Sequence, residues 1–256
     1  MKNQHNTQIL GDKSSFNKIP DLSEEVNREV AEKLRREEKK RKLKGKTTTP
    51  KTTEQPITTT PLEGFIYIPS INLNFSKQRT HLNKNWNQTH ELLKQQNLAM
   101  PTLYQFKEFL KYLRDNPSEE NTQIYNEITE VRSPWRSNWL NAKFEQKTDG
   151  LYMISKNILD NGNYKTINQK LDNYLEQGKR ISLDSWLDSN ESHGLPSTNI
   201  LNGELYYWKP IFDSVARFSA GSDWANLDCG GGAQDSNASL GVFSVCEANA
   251  SQQKNL

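Results

Sequence analysis

Cys229 and Cys246 are the two cysteines of this 256-residue chain. The chemistry open to such a pair is a disulfide, thiolate coordination of a metal, or burial as inert thiols. Both fall on strand-like stretches, so they can pair if their strands are neighbours. Against this stand the absence of a CxxC pair and of a secretory leader, and the ordinary burial of reduced cysteines. Zinc would need further ligands, and His193 is the only histidine nearby. Asp223, Asp228 and Asp235 carry carboxylates that calcium accepts, but six or more convergent oxygen ligands are not evident. Gly230-Gly231-Gly232 is followed by neither Lys-Ser nor Lys-Thr, nor by a helix start, which excludes a phosphate-binding loop. His5, His81 and His90 are scattered over polar stretches. A Ser/His/Asp triad can be assembled from any chain this polar and carries no weight. These residues assign no catalytic group, no metal and no cofactor.

The same region offers a surface instead. Ala216, Phe218, Ala220 and Ser222 share one parity, while Arg217, Ser219, Gly221 and Asp223 share the other. A period of two sends successive side chains to opposite faces of a strand. The phase then slips by one residue. Ala225, Leu227 and Cys229 become the inward set, and Trp224, Asn226 and Asp228 the outward set, as a turn or bulge between two strands would require. Leu240 to Cys246 supplies a third strand candidate. Seventeen of the 23 residues from Arg217 to Ser239 are Gly, Ser, Asp, Asn or Ala, so the outward face is built from small side chains. Gly, Ser and Asn adapt to a ligand at low cost. The candidate ligand-binding residues are Arg217, Ser219, Gly221, Asp223, Trp224, Asn226, Asp228, Gly230, Gly231, Gly232, Gln234, Asp235, Ser236, Asn237 and Ala238. Arg217 and Trp224 are the expected anchors, since Arg and Trp dominate binding hot spots. The competing reading is a glycine-rich hairpin with ordinary solvated residues.

The frame Val215, Ala216, Phe218, Ala220, Ser222, Leu227, Cys229, Leu240, Gly241, Val242 resembles the variable region of target proteins of diversity-generating retroelements. GELYYWKP (203–210) and GLPS (194–197) are similar to the segments that lead into that region. In that family a reverse transcriptase copies a template repeat with errors at adenines, and the copy replaces the variable region. Scrambled AAC codons encode Asn, Asp, Ser, Gly, Ala, His and Tyr among others, which fits the small residues here; Trp224 and Gln234 require other template codons. Where the family often has a proline four residues after the cysteine, this chain has Ala233. The resemblance implies a C-type-lectin-like domain of the formylglycine-generating-enzyme type, with variable residues 214–245 displayed on a strand-and-loop platform. It also implies an unknown protein or glycan as ligand and a reverse transcriptase acting on the gene. Some relatives of that fold oxidise a cysteine in other proteins, but fold alone does not transfer activity, and no enzyme is expected.

The elements that must position this surface are legible upstream. Gly64–Pro69 is a short strand with Phe65 and Tyr67 on one face and Ile66 and Ile68 on the other. Asn85–Asn97 is a helix carrying Trp86, Leu92 and Leu93. Pro101 opens a second helix in which Leu103, Phe106, Phe109, Leu110 and Leu113 keep helical spacing. Ser118–Val131 is a third, with Ile124, Tyr125 and Ile128 inward. Trp135 and Trp139, four apart, are expected to wedge a helix against a sheet. A strand follows at Leu151–Ser155, then a turn at Asp160-Asn161-Gly162. A helix is expected from Thr166 to about Glu176, stopped by Gly178, and a short helix over Ile181–Ser189. Strands crowded toward the C-terminus suit an α+β class better than alternating βα units.

The first 61 residues read differently. Hydrophobic residues make up 33% of the chain and the mean hydropathy is −0.89, low enough that part of it is expected to be unfolded. Ser23 to Lys46 is a helix candidate, capped at Ser23, with Val26, Val30 and Leu34 as its narrow apolar stripe. Lys33 to Lys46 holds nine basic residues against two acidic ones, and Thr47 to Pro61 is a Thr/Pro linker. The expected organisation is a flexible tail with a basic helix and linker over 1–61, then the domain over 62–250. The net charge of +2 does not call for a polyanionic partner. The alternative function is a nucleic-acid-associated or scaffolding role for the basic helix 33–46, nucleic acid being unexpected elsewhere. With no run of about 18 apolar residues and no leader, the expected location is the cytoplasm. Display on a surface or virion would go through a partner.

Overall fold

The computed structural model describes residues 62–248; the basic helix, its Val26, Val30 and Leu34 stripe, the linker and residues 249–250 lie outside the described residues. Within this range the class is α+β, mostly sheet with few helices. Strand β1 (Phe65–Ile68) alternates as expected, Ile66 and Ile68 inward, and pairs with β2 (Leu73–Ser76). Helix α1 (Trp86–Gln95) and helix α2 (Leu103–Asp115) both start in capping boxes, at Asn85/Gln88 and Thr102/Gln105. Each box satisfies two N–H groups that a helix start leaves without partners. Helix α3 (Glu119–Thr129) begins at Ser118 and buries Ile124 and Ile128.

Residues Arg136–Lys147 form strand β3, on which Trp139 is buried in one cluster with Trp86 and Leu93 of α1, between helix and sheet as expected, while Trp135, just before the strand, is exposed and wedges nothing. A four-residue spacing is even, and it keeps side chains on one face of a strand as well as of a helix. Strand β4 (Gly150–Asp160) turns at Asn161 and Gly162 into β5 (Asn163–Lys170), which replaces the helix expected over 166–176. Both turn residues have positive φ, 52° and 75°, the geometry of a two-residue hairpin whose twist matches its strands. With no helix there, Gly178 has none to stop. It precedes β6 (Lys179–Ile181), followed by the short helix α4 (Leu183–Leu187) and β7 (Leu205–Trp208). The C-terminal strands are β8 (Val215–Ala220), β9 (Ala225–Gly231), β10 (Leu240–Gly241) and β11 (Val245–Glu247). The single strand expected over Leu240–Cys246 is thus divided between two sheets.

The larger sheet runs β5-β4-β3-β8-β9-β7-β6, with β10 beside β3; the smaller runs β1-β2-β11. Helix α2 joins the two. Phe106 meets Phe218 of the larger sheet at 5.7 Å between centroids, and Phe109 stacks on Phe75 of the smaller at 4.3 Å. Cys229 belongs to the larger sheet and Cys246 to the smaller, so their strands are not neighbours and the condition for pairing is not met. Glu247 on β11 reaches back to the β4–β5 turn, its carboxylate accepting from the N–H groups of Asn161 and Gly162. Among the described residues no helix is long and apolar enough to cross a membrane.

Candidate ligand-binding site

The β8–β9 hairpin closes where the Gly221 N–H donates to the Trp224 carbonyl at 3.1 Å. Opposite residues across it are Arg217 and Asp228, Phe218 and Leu227, Ser219 and Asn226, Ala220 and Ala225. Ala216, Phe218, Leu227 and Cys229 are fully buried. Burial, reinforced by the neighbouring Asp228 carboxylate, holds the Cys229 thiol well above its usual range, which keeps it protonated and unreactive. The opposite face carries Arg217, Ser219, Asn226 and Asp228 as the floor of a concavity of about 730 Å³. Strand β7 runs parallel beside β9 and sets Trp208 opposite Asp228.

The loop after β9 forms the far wall, and hydrogen bonds from several directions fix it. The Asp235 N–H reaches Gly232 O at 3.1 Å, the Trp86 N–H reaches Ala233 O at 3.2 Å, and the Asn83 N–H reaches Asn237 O at 3.1 Å. Arg79 donates to Ser239 O at 2.6 Å. Gly241 fits beside this anchor only because it lacks a side chain: a Cβ there would lie 2.6 Å from Thr80 O.

Arg217, Ser219, Gly221, Asp223, Trp224, Asn226, Asp228, Asp235, Ser236 and Asn237 line the concavity. The remaining five candidates do not. Gly230 faces Ile211, Gly231 is buried against Val215 O, and Gly232 packs on the Asp235 carboxylate. Gln234 turns away to accept from Asn85 at 3.2 Å, and Ala238 is exposed outside the lining. Ser222, placed inward by parity, is exposed and lines the site, because the turn begins at Gly221 and ends the strand period. Ser219, placed outward, is only 8% exposed; its hydroxyl lies 2.6 Å from that of Ser137 in the floor.

Arg217 is also not a freely offered anchor. Its Nε donates to Asp228 Oδ2 and its NH1 to Asp235 Oδ2, each at 2.9 Å, while Asp228 Oδ1 accepts the Gly230 N–H at 2.9 Å. The guanidinium is a brace tying β8, β9 and the 232–239 loop together. Two of the three carboxylates considered for calcium are committed to it. No group of three or more His, Cys, Asp or Glu side chains is arranged to hold a metal among the described residues. His193 serves the fold: its Nδ1 accepts the Leu195 N–H and its Nε2 lies 2.9 Å from Asn173 O.

Trp135, Trp208 and Leu240 complete the lining and were not among the candidates. Trp208 was findable, since LYYW alternates and Leu205 and Tyr207 are the buried parity. The six tryptophans of the chain divide evenly. Trp86, Trp139 and Trp186 are buried, and each donates its indole N–H to a backbone carbonyl, of Leu140, Lys84 and Gly194. Trp135, Trp208 and Trp224 are 38%, 48% and 42% exposed, and all three line this concavity. Large aromatic surface left in water around a polar floor would gain free energy if a partner covered it. Compared with known proteins, the chain matches no family model, no curated protein and no solved structure.

Proposed function

We propose that this chain is a ligand-binding protein that recognises a partner through the β8–β9 concavity, and that residues 214–245 are a variable region of the kind diversified by a retroelement's reverse transcriptase. One observation carries the reading: frame and display positions are separated in space. Val215, Ala216, Phe218, Ala220, Leu227, Cys229 and Val242 are fully buried, whereas ten residues set among them, from Arg217 to Asn237, line an open concavity with every exposed tryptophan of the chain; of the frame, only Ser222 and Leu240 reach that lining. A surface whose residues are replaced while the fold persists needs this division, because substitutions away from the core change stability by only about 0.5 kcal/mol.

A C-type-lectin-like architecture is supported by two features. The last described strand, β11, returns to pair with β2 near the start of the domain, and the hairpin and following loop stand together as one platform. Recognition proceeds by burial of indole surface and by hydrogen bonds from Ser222, Asn226, Ser236 and Asn237, with no bond made or broken. The nucleic-acid alternative rests wholly on residues 33–46, outside those described.

The test is the DNA beside the gene. A near-copy of codons 214–245 differing at adenines, next to a reverse transcriptase gene, is the expected finding. Related loci should then vary at codons such as 221, 226 and 237, whose residues line the concavity, and keep Phe218, Leu227 and Gly241. Substitutions spread evenly over the chain would overturn the reading.

A further inference from the structure

We propose that the concavity continues across the Gly221–Trp224 turn into a second one, and that the combined surface takes a basic polypeptide segment, seating lysine or arginine side chains against Asp223 and the exposed indoles. This rests on the binding reading above and specifies the chemistry of the partner.

The second concavity, about 590 Å³, is lined by Val131, Arg180, Asp184, Glu204, Asp223 and Trp224 among others. Asp223 and Trp224 also line the first, so the turn is a ridge with a hollow on either side. The charge is one-sided in both. The first sets Arg217 against Asp223, Asp228 and Asp235; the second sets Arg180 against Asp184, Glu204 and Asp223. Arg217 is held by Asp228 and Asp235, Asp184 by Arg114 at 3.1 Å, and Glu204 by Arg180 at 3.5 Å. Asp223, at the crest, has only the Ser222 hydroxyl at 3.4 Å, and no cation pairs with it among the described residues.

The ridge already displays the recognition mode. The Arg180 guanidinium sits 5.9 Å from the centroid of the Trp224 ring, on the side of the second hollow. A cation over an indole face is attracted by the ring quadrupole, and Trp208 and Trp135 offer further faces in the first hollow. A neutral sugar can stack on the same rings and donate hydroxyls to a carboxylate, but it brings no charge to offset the surplus, and two of the carboxylates are occupied as acceptors by Arg217. A basic segment gains from the rings and from the charge together, and the negative field speeds its encounter.

The experiment uses the full chain and three fluorescently labelled probes of equal length: a peptide alternating Arg and Ser, one alternating Glu and Ser, and one of Gly and Ser. Unlabelled chitotetraose competes in a parallel series. The Arg peptide is expected to bind at least about tenfold tighter than the neutral one at low salt, to weaken as salt screens the charges, and to quench tryptophan fluorescence. Asp223→Asn and Trp224→Ala should each weaken it by about threefold to tenfold, while Asp172→Asn, which removes the same charge from an exposed distant site, should not. Equal binding of all peptides, insensitivity to Asp223→Asn, or failure of the Arg peptide to bind would overturn the proposal. Binding of chitotetraose or of the neutral peptide alone, lost in Trp224→Ala, would overturn the basic partner and leave the binding surface standing. The codon pattern at the locus decides the diversification reading independently.

Discussion

Arg217 and Asp228 face each other across β8 and β9 with Nε and Oδ2 2.9 Å apart, and the pair forms the brace of the concavity floor. The side chains retain 23% and 15% exposure, so the pair lies between an exposed ion pair, worth about 0–1 kcal/mol, and a buried one. Arg217→Ala should destabilise by about 1–2 kcal/mol, more than a display residue would. Urea midpoints for Arg217→Ala, Asp228→Ala and the double variant close a cycle in which the two losses should not add. Additive losses would show that the brace contributes nothing as a pair.

The frame and the display should respond differently. Phe218 is fully buried between Phe106 and Trp186, 5.7 Å and 6.1 Å from their ring centroids. Phe218→Ala should therefore cost about 3–5 kcal/mol. Ser222→Thr and Asn237→Ser should stay within about 0.5 kcal/mol. Gly241→Ala belongs with the frame, because its Cβ would press on Thr80 O. Thermal melts of the four variants rank them, and a large loss for Ser222→Thr would contradict the division.

The exposed indoles should be separable by quenching. Trp135→Ala, Trp208→Ala and Trp224→Ala should each lower the acrylamide-accessible fraction of the fluorescence and leave the unfolding midpoint nearly unchanged. Trp186→Ala should do the reverse, with a loss of about 3–5 kcal/mol. An unchanged accessible fraction on removal of Trp208 would contradict its exposure.

A pH dependence follows from His90. It is buried against the edge of Trp86, and burial, aided by the nearby Lys156 charge, lowers its pKa from 6.5 to about 3. The unfolded chain takes up this proton near pH 6.5 and the folded chain does not, so stability is full above that pH and falls as pH drops toward 3. At about 1.4 kcal/mol per pKa unit, the loss across that window amounts to a few kcal/mol. Denaturant midpoints between pH 7 and pH 4 should fall less steeply in His90→Phe. Identical slopes would mean that His90 is protonated in the folded chain.

Local signals made much of this arrangement readable. The β8–β9 parity, the helix that follows Pro101 and the Asn161-Gly162 turn are each fixed by a few neighbouring residues and expected from them. Strand β5 was not. Ile167, Leu171, Tyr174 and Leu175 repeat with helical spacing, yet Asn163–Lys170 is drawn onto the open edge of β4, leaving Ile167 43% exposed. A pairing partner far along the chain outweighs local periodicity. Trp135 was hidden for a similar reason. Its place at the rim depends on where β3 enters the sheet beside β8, and no spacing within SPWRSNWL encodes that.

The pairing of β11 with β2 also decides how the domain carries mechanical load. Phe65 at the start of β1 lies opposite Ser76, and Glu247 at the end of β11 lies opposite Leu73, so the two entry points are at opposite ends of β2. Tension between them pulls the strands lengthwise past one another, and the hydrogen bonds of each ladder must fail together. The force path runs through the small sheet and bypasses β8, β9 and the 232–239 loop. A partner held in the concavity would pull on the domain through the larger sheet, yet tension between the ends of the domain would leave the shape of the hollow undisturbed.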